Sequence, residues 1–183
     1  MSFLEFVEGF CYSGYTQCRS VSDLKLYLET TMFNYYFDED RDGHTDVVRL
    51  FEEIRAGKHE AYTSQYTTNE LAEAPEPKRS KMFALLDEFG VETLAMADES
   101  DKLADEYVLE GIIPERFRLD GAHIASASLN GLDYVLSYNF QHINRVKTKL
   151  LTERINRKFG HGSVIICTAK EVLYDEQPDN QPC

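Results

Sequence analysis

Proline and glycine are scarce, at five and ten among 183 residues, and they are spread thinly. That excludes collagen-like and low-complexity architectures. With 43% hydrophobic and 28% charged residues, the chain has material for one ordinary core and is not a disordered polymer. Cysteine is also sparse. Cys11, Cys18, Cys167 and Cys183 show neither the close pairing of a zinc ribbon nor the density of a disulfide scaffold, which points to a reducing, cytoplasmic setting. Basic residues are in deficit, with 19 Lys and Arg against 32 Asp and Glu and a net charge of -13. A general duplex-DNA coat held by counterion release is excluded, so any nucleic-acid contact is local or metal-mediated. Long apolar runs are absent, and the opening MSFLEFVEGF has Glu5 and Glu8 where a secretion signal carries Lys or Arg. No exported or membrane-spanning segment is expected.

From Leu24 onward the chain alternates strand and helix patterns. Leu24, Leu26 and Leu28 alternate with Lys25 and Tyr27 as a strand ending at Glu29, and an acidic loop follows. Val47, Val48, Leu50, Phe51 and Ile54 mark a helix that stops by Gly57. Further strands are expected over 60–64, 91–94, 134–137 and 164–167. Helices are expected over 65–74, through Met82 to Phe89, over 97–110, from Asp120 to a Gly131 cap, and over 145–158. This alternation implies a single three-layer α/β/α domain over 23–174 with a parallel sheet of about five strands. Residues 1–22 read as an N-terminal extension outside the core and 175–183 as a polar tail.

In such a sheet, ligands bind beyond the carboxyl ends of the strands, where the strand order reverses. Glu29 ends the first strand, Asn139 follows the fourth, and Glu70 and Asp120 lie at or near helix starts. If the four converge, their carboxylates repel one another, and a hard divalent cation with oxygen ligands supplies the neutralisation. Equally, Glu70 and Asp120 are acids suited to the positive end of a helix dipole.

The segments YLETTMFNYYF (27–37), TSQYTTNEL (63–71), IIPERFRLDGAHIASAS (112–128) and LDYVLSYNFQHI (132–143) resemble the motifs of PIN-domain metal-dependent ribonucleases, a family that includes the VapC-type toxins of toxin–antitoxin pairs. The resemblance runs from about Leu24 to about Leu173. It implies Mg²⁺ or Mn²⁺ held by Glu29, Glu70 and Asp120, with Asn139 at the fourth polar position, and hydrolysis of RNA phosphodiesters. It also implies a small antitoxin protein as partner and a homodimer. Glu29 stands where many members have Asp, and Asn139 replaces an acid common in the family, which disfavours a second metal. That replacement keeps open an alternative, a catalytically weak PIN-fold RNA-binding or regulatory protein. Thr30 and Ser137 flank the site as candidate partners of a water or phosphate.

Three other features have plainer readings. Asp38, Asp40, Asp42 and Gly43 mimic the opening of a calcium loop, but Arg49 occupies the twelfth position where a bidentate Glu is required. The stretch reads as a solvated loop, with Thr45 or Asp46 capping the next helix. His123 and His142 read as packed structural histidines. The segment 145–158 carries Arg145, Lys147, Lys149, Arg154, Arg157 and Lys158 with Glu153 as its one acid. Arg145, Lys147, Arg154, Arg157 and Lys158 are candidates for steering an RNA backbone, or they form a solvated helical face.

Overall fold

Alternation along LKLYL assigns each residue to a layer. In β1 (Leu24–Leu28), Leu26 and Leu28 face one side of the sheet and Tyr27 the other, because successive strand side chains point to opposite faces. The computed structural model describes residues 24–175, so the expected extension over 1–22 and the tail beyond Asp175 lie outside the described residues. Around β1 stand β2 (His59–Ser64), β3 (Glu92–Leu94), β4 (Tyr134–Leu136) and β5 (Ile165–Cys167). Every pairing is parallel, in the order β3-β2-β1-β4-β5. This is the five-stranded α/β sheet that the strand–helix alternation implies.

Eight helices among the described residues cover the sheet. α1 (Thr30–Tyr36), α2 (His44–Arg55), α4 (Lys78–Glu88) and α8 (Ala169–Asp175) enclose the Leu26 and Leu28 face, with Phe33, Phe51, Met82 and Val172 in that core. α5 (Asp98–Leu109), α6 (Arg118–Leu129) and α7 (Val146–Lys158) enclose the other, packing Tyr107, Ile124 and Ile155 against Tyr27 and Val135. α3 (Gln65–Ala72) sits between them, with Leu71 in the first core and Tyr66 against Ala104 and Ala122. The small residues of α6 behave as their size predicts, with every residue from Gly121 to Ser128 buried. Low bulk lets that helix lie close to its neighbours.

Two local expectations are corrected. No loop directly follows β1. The chain turns at Glu29 into α1, because the Glu29 carboxylate accepts the Thr31 N–H at 3.1 Å and so serves as the N-cap. α2 is capped by neither Thr45 nor Asp46; its N-cap is Gly43, with φ of 101° and no side-chain bond. A Cβ on Gly43 would stand 2.7 Å from Tyr138 Cε1. Gly43→Ala should therefore lower stability by about 2–4 kcal/mol, through a left-handed φ together with displacement of a packed ring. Gly131→Ala, at φ 64° with nothing within 4 Å, should lose only about 1 kcal/mol. Thermal melts of the two variants check this, and equal losses would mean that the Tyr138 contact is immaterial.

The strand order reverses between β1 and β4, since β2 and β3 lie on one side of β1 and β4 and β5 on the other. The crevice beyond these two strands is where such a sheet binds ligands. There the Glu29 N–H bonds the Leu136 carbonyl at 3.2 Å, so the two chain ends leave the sheet side by side.

Candidate metal centre

Glu29 is 4% exposed and held from two directions. Its Oε2 accepts the Thr31 N–H, the Thr31 hydroxyl at 2.6 Å and the Ser137 hydroxyl at 2.9 Å. Those hydroxyls in turn accept backbone N–H groups, Thr31 that of Tyr138 at 2.8 Å and Ser137 that of Asn139 at 2.9 Å. One carboxylate thus ties the start of α1 to the corner after β4. Ser137 is fully buried and spends its hydroxyl inside this network. Its place is that of a positioning group, not of a phosphate contact.

Glu70 enters from α3, accepting the Thr30 hydroxyl. Its Oε2 also lies 3.2 Å from Nε2 of His123, in an ion-pair contact off the line of a hydrogen bond. Burial alone would raise the Glu70 pKa. The contacts with His123 and Thr30 outweigh that, and the carboxyl is held below its ordinary value.

Asp120, near the start of α6, accepts the Asn139 amide at 3.2 Å on Oδ1, while its Oδ2 is buried with no hydrogen-bond partner. Burial first, then the charges of Glu29 and Glu70, push its pKa up to about 6, against the opposing pull of His123 and Asn139. The Asn139 amide is used at both ends, because its oxygen accepts the His142 N–H at 3.1 Å.

His123 follows Asp120 by three residues on α6 and is fully buried. Its Nδ1 bonds the Tyr27 hydroxyl at 2.8 Å, and that hydroxyl also bonds Ser64 at 2.6 Å. Strand alternation makes this contact, since it sends Tyr27 to the α6 side. Burial opposes charge on the imidazole, but Tyr27, Glu70 and Glu29 overcome it, so its pKa stands well above 6.5. An imidazolium therefore partly neutralises the carboxylates. Ligating atoms of Glu29, Glu70 and His123 all lie within 4.8 Å of one another, and no other such group occurs among the described residues. Asp120 lies outside that trio and joins it through charge and Asn139.

The structure thus brings together all four polar residues singled out from sequence and adds a fifth. His123 was read as a packed histidine, which its burial bears out, but it also contacts the cluster. The available signal was its spacing from Asp120, which puts both on one helix face. A divalent cation fits the carboxylates of this group, since Glu29 and Glu70 lie close together and Asp120 Oδ2 is a buried acceptor without a partner, whereas His123 could ligate only after giving up its proton.

The basic segment divides. α7 returns the chain from the Asn139 corner to the start of β5, so Lys158 lies about 18 Å along the helix from its start. Arg157 pairs with Glu153, and Arg154 and Lys158 line a hollow of about 260 Å³ with Glu110 and Ile112. Lys147 donates to the Gly111 carbonyl at 2.8 Å. Of the five candidates, Arg145 alone stands at the corner itself.

The fold has a solved counterpart. A chain of the crystal structure of VapBC2 from Rickettsia felis bound to a DNA fragment from their promoter superposes with a TM-score of 0.50 and 13% identity. The match covers 79% of this chain and 98% of that one. At that identity the likeness is one of fold. No protein-family model matches the sequence, and no curated protein is significantly similar to it. No helix among the described residues is long and apolar enough to cross a membrane.

Proposed function

We propose that this chain is a PIN-type ribonuclease that hydrolyses RNA phosphodiester bonds with Mg²⁺ or Mn²⁺. The observation that carries this is the gathering of Glu29 and Glu70 beside His123 at the β1/β4 crevice, with Asp120 held alongside by Asn139 and carrying a buried oxygen that has no hydrogen-bond partner in the protein. Glu29, Glu70 and Asp120 would hold the cation, with His123 beside them. When bound, the cation acidifies a water and offsets charge developing on the phosphoryl group.

The protein's own groups set the geometry. Thr31 and Ser137 prevent Glu29 from swinging, and Thr30 with His123 aims Glu70. Asn139 fixes Asp120 through Oδ1, which leaves Oδ2 available to the cation. Products would carry 5′-phosphate and 3′-hydroxyl ends. As a VapC-like toxin acting in the cytoplasm, the protein would be held in check by a small antitoxin and would pair as a homodimer.

A second reading, an RNA-binding protein of the same fold with weak or lost catalysis, is favoured by the neutral Asn139 and the charged His123. Incubation of a mixed RNA pool with Mn²⁺, with EDTA, and with the Asp120→Ala variant separates the two. Cleavage that needs both Mn²⁺ and Asp120 is expected. RNA left intact by a folded, Mn²⁺-loaded wild type would overturn the ribonuclease reading in favour of the second.

A further inference from the structure

The Asn139 corner is bordered by rings and cations that the carboxylate cluster does not use. Phe140, the next residue, is 57% exposed, the most exposed phenylalanine among the described residues. Its ring stands 6.2 Å from Tyr138 at 83°, and Tyr138 stacks on Tyr35 at 4.1 Å. Beyond Tyr35 lies Arg41, 4.9 Å from the ring and paired with Asp38. On the other side, Phe117 stacks on His142 at 3.6 Å and 25°, and the Arg116 guanidinium lies 4.7 Å from the Phe117 ring. Arg145, exposed, shares the neighbourhood of His142 with Arg116. Neither His142 ring nitrogen has a hydrogen-bond partner in the protein.

We propose that Phe140, Arg116 and Arg145 form a subsite for single-stranded RNA, with an unpaired base stacked on Phe140 and the flanking phosphates on the two arginines. This rests on the ribonuclease reading and specifies its substrate. Three observations point to the same occupant. An exposed ring accepts the π-face of any base, but only where the base has left its stack, which duplex RNA does not permit. The two arginines concentrate positive charge at one corner of a chain with net charge -13, which suits a phosphate backbone and not an apolar peptide. The subsite adjoins Asn139, whose amide bonds Asp120, so a strand held here delivers its neighbouring phosphate to the carboxylates.

The test is fluorescence anisotropy in EDTA, with a labelled 12-nucleotide single strand of mixed sequence and the same strand annealed to its complement. Wild type should prefer the single strand. Phe140→Leu should weaken that binding about ten-fold and Phe140→Tyr should retain it, since stacking needs an aromatic face and not merely bulk. Arg116→Gln and Arg145→Gln should each weaken binding and reduce its salt dependence by about one phosphate. These exposed substitutions should leave the melting temperature unchanged, which separates lost binding from lost folding. Equal affinity for duplex and single strand, no binding by wild type, or wild-type affinity in Phe140→Leu would each overturn the subsite. Mn²⁺-dependent cleavage indifferent to Phe140 would reject the subsite alone. Phe140-dependent binding without cleavage would reject only the nuclease reading.

Discussion

Metal-free Asp120→Asn is expected to melt about 3–6 °C above wild type at neutral pH while losing RNA cleavage. Asp120 has a folded pKa of about 6, raised chiefly by burial, so the folded state favours its protonated form. Such a group contributes stability that is fully present below its unfolded pKa and is lost as pH rises through the folded one. The loss therefore falls between about pH 4 and pH 7, and with allowance for solvent screening it amounts to about 1–2 kcal/mol. For a domain of this size each kcal/mol moves the midpoint by about 2–4 °C. Asparagine keeps an acceptor for the Asn139 amide and presents a donor toward Glu29 and Glu70 in place of a repelling oxygen. The gap between variant and wild type should thus close toward pH 4. Mn²⁺ at a hundred-fold over its Kd should then stabilise wild type by about 2.7 kcal/mol by mass action, and the variant much less. A variant midpoint below wild type, with equal Mn²⁺ stabilisation of both, would show that Asp120 serves the helix and not a metal.

Substitution of His123 should be strongly destabilising. His123→Phe fills the volume but removes the hydrogen-bond partner of the Tyr27 hydroxyl and the cation beside Glu70. Breaking a buried pair in this way leaves an uncompensated charge, and because Glu70 is 30% exposed the loss should be about 2–4 kcal/mol, toward the lower part of the usual range. Two milder changes divide the contacts. His123→Gln places an amide near the Nε2 position and keeps a donor for Glu70, whereas His123→Asn reaches only the Nδ1 position and keeps Tyr27. Calorimetric titration should rank Mn²⁺ affinity as wild type, then Gln, then Asn, because Glu70 is aimed only while its partner remains. If the Asn variant binds Mn²⁺ as wild type does, His123 is a core histidine with no role in the site.

How much of this was legible in the sequence differs from element to element. β1 was plain because its alternation spans five residues, and α2 and α5 were plain because their apolar residues recur at helical spacing. α1 escaped notice. It has seven residues, and its start signal is a glutamate cap whose bond to Thr31 exists only once Glu29 is also held by Ser137, 108 residues away. Glu29, Asp120 and Asn139 were legible as polar residues at strand ends and a helix start, whereas Glu70, expected near a helix start, lies in the last turn of α3 and was pointed to by the family resemblance alone.

The amino-acid pattern by itself determined the layers, the parallel sheet and the four polar residues at its crevice, because short-range periodicity and turn chemistry record which face of each element is buried. Tertiary structure alone decided the charge balance of the site. His123 was one histidine on an alanine-rich helix until Tyr27, from a strand 96 residues earlier, and Glu70, from α3, closed on its two nitrogens. The basic segment likewise read as one surface and is not, since a helix that runs back from the end of β4 to the start of its parallel neighbour β5 carries its two termini to opposite ends of the strands. Both outcomes depend on contacts distant in sequence, whose electrostatics arise only when the chain brings the charges together.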